Sequence, residues 1–132
     1  MIVVDSSIWI DYFNGKINRY TEYLKKLGSN AELTVGDVIL VEVLRGFRID
    51  EDYRIARAMM RRFEAVDMLG HENAVRCAEN FRALRKRGIT IRSTMDVVIA
   101  SWCIAHERPL LFQDKDFVPF VDHFGLDPAP DL

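Results

Sequence analysis

The run Ile2-Val3-Val4 sets three β-branched apolar residues in succession at the start of the chain. Successive side chains of a strand point to opposite faces, so a strand with no polar position has both faces covered. That is the condition of a parallel sheet between helical layers, and it constrains how the rest of the chain folds. Ala65-Val66-Asp67-Met68 and Leu110-Leu111-Phe112 read as further short strands.

Helical patterns lie between these strands. Ser6-Ser7 offers an N-cap to residues 8–13, and Tyr20, Tyr23, Leu24 and Leu27 form an amphipathic face that ends at Gly28. Residues 38–47 are apolar nearly all round and follow Gly36-Asp37, which favours a buried helix over a strand. Ile55, Met59 and Phe63 define one face of the next helix, with Arg54, Arg57 and Arg61 on another. Ala74, Ala78 and Phe81, with Val75 and Leu84, mark a long helix closed by Lys86-Arg87-Gly88. Ser93 or Thr94 can cap a helix running through Val97, Ile99, Ala100, Trp102 and Ile104, stopped before Pro109. Residues 114–120 read as a brief helix or turn. Interleaved strands and helices predict an α/β fold of three layers, a mostly parallel central sheet flanked by helices. The expectation is one domain over residues 1–132, with 127–132 a loose tail.

No apolar run is long enough to span a bilayer, and the N-terminus has no basic region followed by a long apolar stretch. Cys77 and Cys103 sit alone in apolar helical patterns and read as reduced core thiols, so a cytoplasmic protein is expected. The formal net charge of −2 argues against a constitutive nucleic-acid binder. Its distribution is uneven: residues 54–92 hold ten Lys/Arg against four acids, and residues 93–132 hold seven acids against two bases. A basic middle beside acidic ends suits a protein that holds a polyanion next to a carboxylate cluster; two solvated Arg-rich helix faces account for it equally well.

Four acids stand where acids are unusual. Asp5 ends the first strand, and in open α/β sheets ligands gather at the carboxyl ends of strands. Glu42 interrupts an apolar helix, where a carboxylate is either buried at a cost or faces a polar site. Asp96 falls in the first turn of a very apolar helix, whose N-terminus favours negative charge. Asp114 follows the last strand. Taken singly, each has a local explanation: Asp5 and Asp96 as caps, Glu42 paired with Arg45, Asp114 as a helix start. Together they suggest mutually repelling charges that need a cation. All-oxygen ligation, with His71, His106 and His123 scattered, favours Mg²⁺ or Mn²⁺ over zinc.

With these residues assembled, the sequence resembles the PIN-domain family, and within it the VapC toxins. The resemblance is carried by Ile2-Val3-Val4-Asp5-Ser6-Ser7-Ile8-Trp9-Ile10-Asp11, by Glu42-Val43-Leu44-Arg45-Gly46, by residues 88–100, and by Leu110-Leu111-Phe112-Gln113-Asp114-Lys115-Asp116-Phe117. It implies that Asp5, Glu42, Asp96 and Asp114 form the catalytic constellation. Asp5 and Asp96 are then the principal metal ligands, and Glu42 and Asp114 complete the negative pocket. Ser6, with Ser7 beside it, is then placed to contact water of the ion's shell, though helix capping explains both. Asp116 is a second candidate for the fourth acid, Asp114 being preferred by register. The chain departs from the family at Phe112, where Thr or Ser is frequent. The resemblance implies a Mg²⁺-dependent endoribonuclease that cuts structured RNA such as tRNA or rRNA, a homodimer, and a cognate antitoxin as partner. The Arg54/Arg57/Arg61 face would serve either the RNA backbone or an acidic antitoxin.

Two other readings compete. A catalytically silent binding or dimerisation module would keep the fold without binding an ion. An aspartate-phosphorylated protein also sets Asp at a strand end, but Ser7 stands where a dehalogenase-type enzyme needs a second Asp, and Asp5 lacks the acidic neighbour of a receiver.

Overall fold

The apolar N-terminal run becomes strand β1 (Ile2–Val4), in which Val3 and Val4 are both fully buried although they point to opposite faces. The computed structural model describes residues 1–30 and 32–129. β1 pairs in parallel with β2 (Leu33–Gly36) on one side and with β4 (Leu110–Leu111) on the other, and β2 pairs in parallel with β3 (Glu64–Val66). The order is therefore β3-β2-β1-β4, with every pairing parallel. The chain builds outward from β1 to β3 and then returns to the far side of β1. That reversal puts a topological switch point between β1 and β4, and the crevice at their carboxyl ends is where ligands bind in sheets of this kind.

Helices fill the connections: α1 (Ser6–Phe13), α2 (Arg19–Ser29), α3 (Asp37–Leu44), α4 (Asp50–Met60), α5 (His71–Lys86), α6 (Thr94–Ala105) and α7 (Val118–Phe124), the last preceded by a 3₁₀ turn at Lys115–Phe117. The three-layer α/β architecture is as the sequence predicts. Among the described residues no helix is long and apolar enough to cross a membrane. α2 starts at a full capping box: Asn18 accepts from the backbone of Tyr20 and Thr21, and Thr21 Oγ1 accepts from the Asn18 N–H. α3 begins at Gly36, where a Cβ would fall on the buried Met68 side chain. Asp37 then accepts from the Met68 and Leu69 backbone N–H groups and so fastens the end of β2 to the segment after β3.

Several expectations are corrected. β2 is a strand that the pattern did not disclose. The third strand begins earlier than expected and ends at Val66. Ser6 and Ser7 do not cap α1, because Asp5 holds the N-cap position and the two serines lie in the first turn. Ser93 is the N-cap residue of α6, without a hydrogen bond from the helix to its hydroxyl. α4 buries Ala56 and Met60, and Ile55 is 55% exposed. α5 buries Asn73, Cys77 and Leu84, while Ala74, Val75 and Ala78 face outward. Asn73 can be buried because its amide donates to the Met68 and Val98 carbonyls. The tail is not loose at its start: Leu110 N–H donates to Asp127 O and Ala129 N–H to Leu110 O, both at 2.9 Å, which pins residues 127–129 to β4. Residues 130–132 lie outside the described residues. Cys77 and Cys103 are buried free thiols.

Candidate active site

Asp5 leaves β1 at the switch point, its backbone N–H donating to Leu111 O at 3.0 Å, which holds the β1 and β4 ends side by side. Its side chain is 3% exposed. Ser7 Oγ donates to Asp5 Oδ2 at 2.8 Å, whereas Oδ1 is buried with no hydrogen-bond partner. On the neighbouring connection α3 carries Glu42, whose Oε1 accepts from Ser6 Oγ at 2.9 Å. The two hydroxyls expected to cap the helix orient the two acids instead. Arg45, the local alternative partner for Glu42, makes no ion pair with it.

Asp96 sits in the first turn of α6, and Asp114 and Asp116 flank the start of the 3₁₀ turn after β4. One carboxylate oxygen from each of these three lies within 4.8 Å of the others. Asp114 Oδ1 also accepts from the Asp116 N–H at 2.9 Å, so the loop's own cap keeps both acids on the same side. The reading of Asp114 as a turn start holds alongside its place in the cluster.

The charges of the cluster reach one another. Burial pushes the Asp5 carboxyl up from its ordinary 3.8 to about 6, against the lowering effect of the Ser7 hydroxyl, and the Glu42 charge adds to the rise. Asp96 is pushed up to about 7, first by burial and then by the charges of Asp5, Asp114, Glu42 and Asp116. The helix N-terminus that favours an ionised Asp96 is thus outweighed by desolvation and like charge. Among the described residues the structure gathers ligand oxygens of Asp96, Asp114 and Asp116 within 4.8 Å of one another. Asp5 and Glu42 lie outside that group and are linked to it through their charges on Asp96.

The family model of the PIN domain matches residues 2–120. The chain belongs to the PIN-domain family. Among curated relatives, this PIN domain is 26% identical over 119 residues to VapC ribonuclease Mb1587 of Mycobacterium bovis and to ribonuclease VapC11 of Mycobacterium tuberculosis, with 89% of each chain covered. Among solved structures it resembles VapBC2 of Rickettsia felis bound to a DNA fragment from their promoter, with a TM-score of 0.76, 21% identity and 98% of each chain covered. It also resembles a toxin–antitoxin complex from Klebsiella pneumoniae, with a TM-score of 0.70, 18% identity and coverage of 89% of this chain and 90% of that one. At such identities the two structures speak to the fold.

The residues of this PIN domain fit a hard divalent cation. Carboxylate oxygens from Asp96, Asp114 and Asp116 all lie within 4.8 Å of one another, an all-oxygen donor set of the kind that hard cations take. Asp5 Oδ1, like Asn73 Oδ1, is a buried acceptor without a hydrogen-bond partner, and of the two it is the one next to the acidic cluster. Phe112 packs against Phe117 with ring centroids 5.3 Å apart and planes tilted by 43°, a contact within the loop. The sequence reading passed over two contributors, Ser7 as the partner of Asp5 and a hydrogen bond at 3.1 Å from Gln113 Nε2 to Asp11 Oδ2. The first was legible only as a hydroxyl two residues beyond an acid. The second joins positions 102 apart and has no local signal.

Proposed function

We propose that this chain is a Mg²⁺- or Mn²⁺-dependent endoribonuclease, and that it is the toxin of a toxin–antitoxin pair acting in the cytoplasm on structured RNA such as tRNA or rRNA. The observation that supports this reading best is the gathering of Asp96, Asp114 and Asp116 oxygens within 4.8 Å of one another, with Asp5 and Glu42 near enough for their charges to act on Asp96. The likeness to proteins named VapC ribonucleases supports the substrate class. The fold shared with toxin–antitoxin complexes supports the antitoxin partner. Residues 1–132 are read as one nuclease domain that works as a homodimer.

Asp5 and Asp96, with Asp114 and Asp116, would hold the ion. Bound there, a hard divalent cation would supply Lewis acidity toward a phosphodiester and lower the pKa of water in its shell. The protein's own part is orientation. Ser7 fixes Asp5 through Oδ2 and leaves Oδ1 without a partner. Ser6 fixes Glu42 through Oε1 and leaves Oε2 to accept from an attacking water. In the ion-free protein Asp96 holds a proton over part of the neutral range.

The test is cleavage of total RNA by purified protein with Mg²⁺ or Mn²⁺, with and without EDTA, mapped by sequencing the new ends. Asp96→Ala is expected to abolish cleavage while the far-UV spectrum and the melting cooperativity stay intact. Cleavage undiminished in Asp96→Ala, or in EDTA, overturns the mechanism. Expression of the chain alone is expected to arrest growth; harmless expression of an active nuclease overturns the toxin role and leaves the nuclease role standing.

A further inference from the structure

The acids Asp114 and Asp116 ride on a short loop that must stay close to Asp96 although every charge in the crevice pushes it away. The loop's internal bonds give it shape: Asp114 caps the 3₁₀ turn, and Phe112 packs on the fully buried Phe117. Neither fixes it to the helix that follows Asp5. Among the described residues, one side-chain hydrogen bond joins residues 112–117 to another element, the Gln113–Asp11 bond from loop to α1. Asp11 is partly buried, and the Lys16 ammonium stands 3.8 Å from the same oxygen. Gln113 is neutral, so it ties the loop down without adding a cation that would compete for the carboxylates.

We propose that Asp11 is a positioning residue. Through Gln113 it holds Asp114 and Asp116 in place before any ion arrives, so that the cation site is preorganised. The inference rests on the divalent-ion reading above. Asp11 touches neither ion nor substrate. Without the tie, the loop relaxes outward in the ion-free protein, and binding must then also order it.

The test compares Asp11→Ala, Asp11→Asn and Gln113→Ala with the parent chain in two measurements. The first is calorimetric titration with Mn²⁺ alone. A hydrogen bond to a charged group supports an expected loss of roughly tenfold in Mn²⁺ affinity for Asp11→Ala and for Gln113→Ala. The double variant should be no worse than either single one. Asp11→Asn keeps an acceptor for Gln113 and should restore near-parent affinity, which a role for the Asp11 charge alone would not allow; the matching loss in Gln113→Ala separates the bond from packing at Asp11. The second measurement is amide hydrogen exchange over residues 113–117 in EDTA, expected to quicken in both single variants and not in Asp11→Asn. Unchanged exchange in the alanine variants overturns the tie. Unchanged affinity with quickened exchange overturns its role in ion binding. A parent chain that binds no Mn²⁺ sinks the ion reading itself, and the tie is then judged by exchange alone.

Discussion

Replacing Asp5 by Asn should make the ion-free protein more stable at alkaline pH while destroying its affinity for a divalent ion. The buried carboxyl titrates near 6 in the folded chain against an ordinary 3.8. Two pH units of upward shift correspond to about 3 kcal/mol of destabilisation once the group is ionised. The sign follows from proton linkage: between the two values the folded state binds more protons than the unfolded, so parent stability falls as pH rises through that window. Asparagine removes the charge, keeps an acceptor for Ser7 at the Oδ2 position and sets an amide N–H at the unpartnered Oδ1 position. The weaker Ser7 bond and an imperfectly placed amide take back about 1–2 kcal/mol. The net gain at pH 8 is therefore about 1–2 kcal/mol, or roughly 3–7 °C in melting temperature for a chain of this size. Thermal and urea unfolding in EDTA at pH 8 and pH 5 measure it. At pH 5 the parent carboxyl is mostly protonated and the difference should shrink below about 0.5 kcal/mol. Saturating Mn²⁺ should reverse the ranking, since at a hundredfold excess over Kd an ion adds about 2.7 kcal/mol to the protein that binds it. An Asn variant no more stable than the parent at pH 8, or an advantage that persists unchanged at pH 5, would refute the argument.

Two further substitutions probe the frame. Gly36→Ala should destabilise the fold by about 1–3 kcal/mol, seen as a lower urea midpoint at constant m-value, because the new Cβ meets the buried Met68 side chain; an unchanged midpoint would show that Met68 yields freely. In the parent, Arg108 donates to Glu64 Oε1 at 2.8 Å and holds that carboxyl below its ordinary 4.5, so the pair stabilises above the unfolded value and the benefit is lost as pH falls through the folded one. Arg108→Ala should move the Glu64 carboxyl resonance titration back up toward 4.5 and flatten the acid limb of the stability curve; an unmoved titration would assign the shift to Thr34 alone.

The acids were legible because each breaks an apolar pattern at the end of an element, and the parallel sheet was legible because Ile2-Val3-Val4 offers no solvent face. β2 was hidden because it is only four residues long, contains Thr34 and runs into α3 without a turn. Thr34 is fully buried, yet it donates to Glu64 Oε1 and accepts from Arg108 Nη1, partners 30 and 74 positions away. Periodicity cannot see such satisfaction, and so it marks the residue as exposed. The same blindness set the face of α5 wrongly: Ala74 and Ala78 look more apolar than Asn73, but Asn73 has two carbonyls to bond and the alanines have little area to bury. Ser6 and Ser7 were read as caps because a hydroxyl after a strand usually is one, and only the fold reveals that Glu42 and Asp5 stand within their reach.

The protein handles its half-buried acids in two ways, and the contrast bears on what the crevice is for. At the amino-terminal end of the sheet, Glu64 receives an arginine and a threonine, and its pKa falls. That is how a structural carboxylate is accommodated. In the crevice, Asp5 and Glu42 are held by serines, Asp114 caps a backbone amide, and Gln113 ties the loop with a neutral amide. Among the described residues no lysine or arginine forms an ion pair with Asp5, Glu42, Asp96, Asp114 or Asp116. The partners of Asp5, Glu42 and Asp114 fix position without cancelling charge, and burial first, with neighbouring negative charge adding to it, raises the pKa values of Asp5 and Asp96. A fold that supplies Arg108 to Glu64 but only hydroxyl or backbone dipoles to Asp5, Glu42 and Asp114 leaves their negative charge uncancelled, as the proposed cation site requires. The stability that Asp5→Asn should recover measures what the uncancelled charge on Asp5 costs.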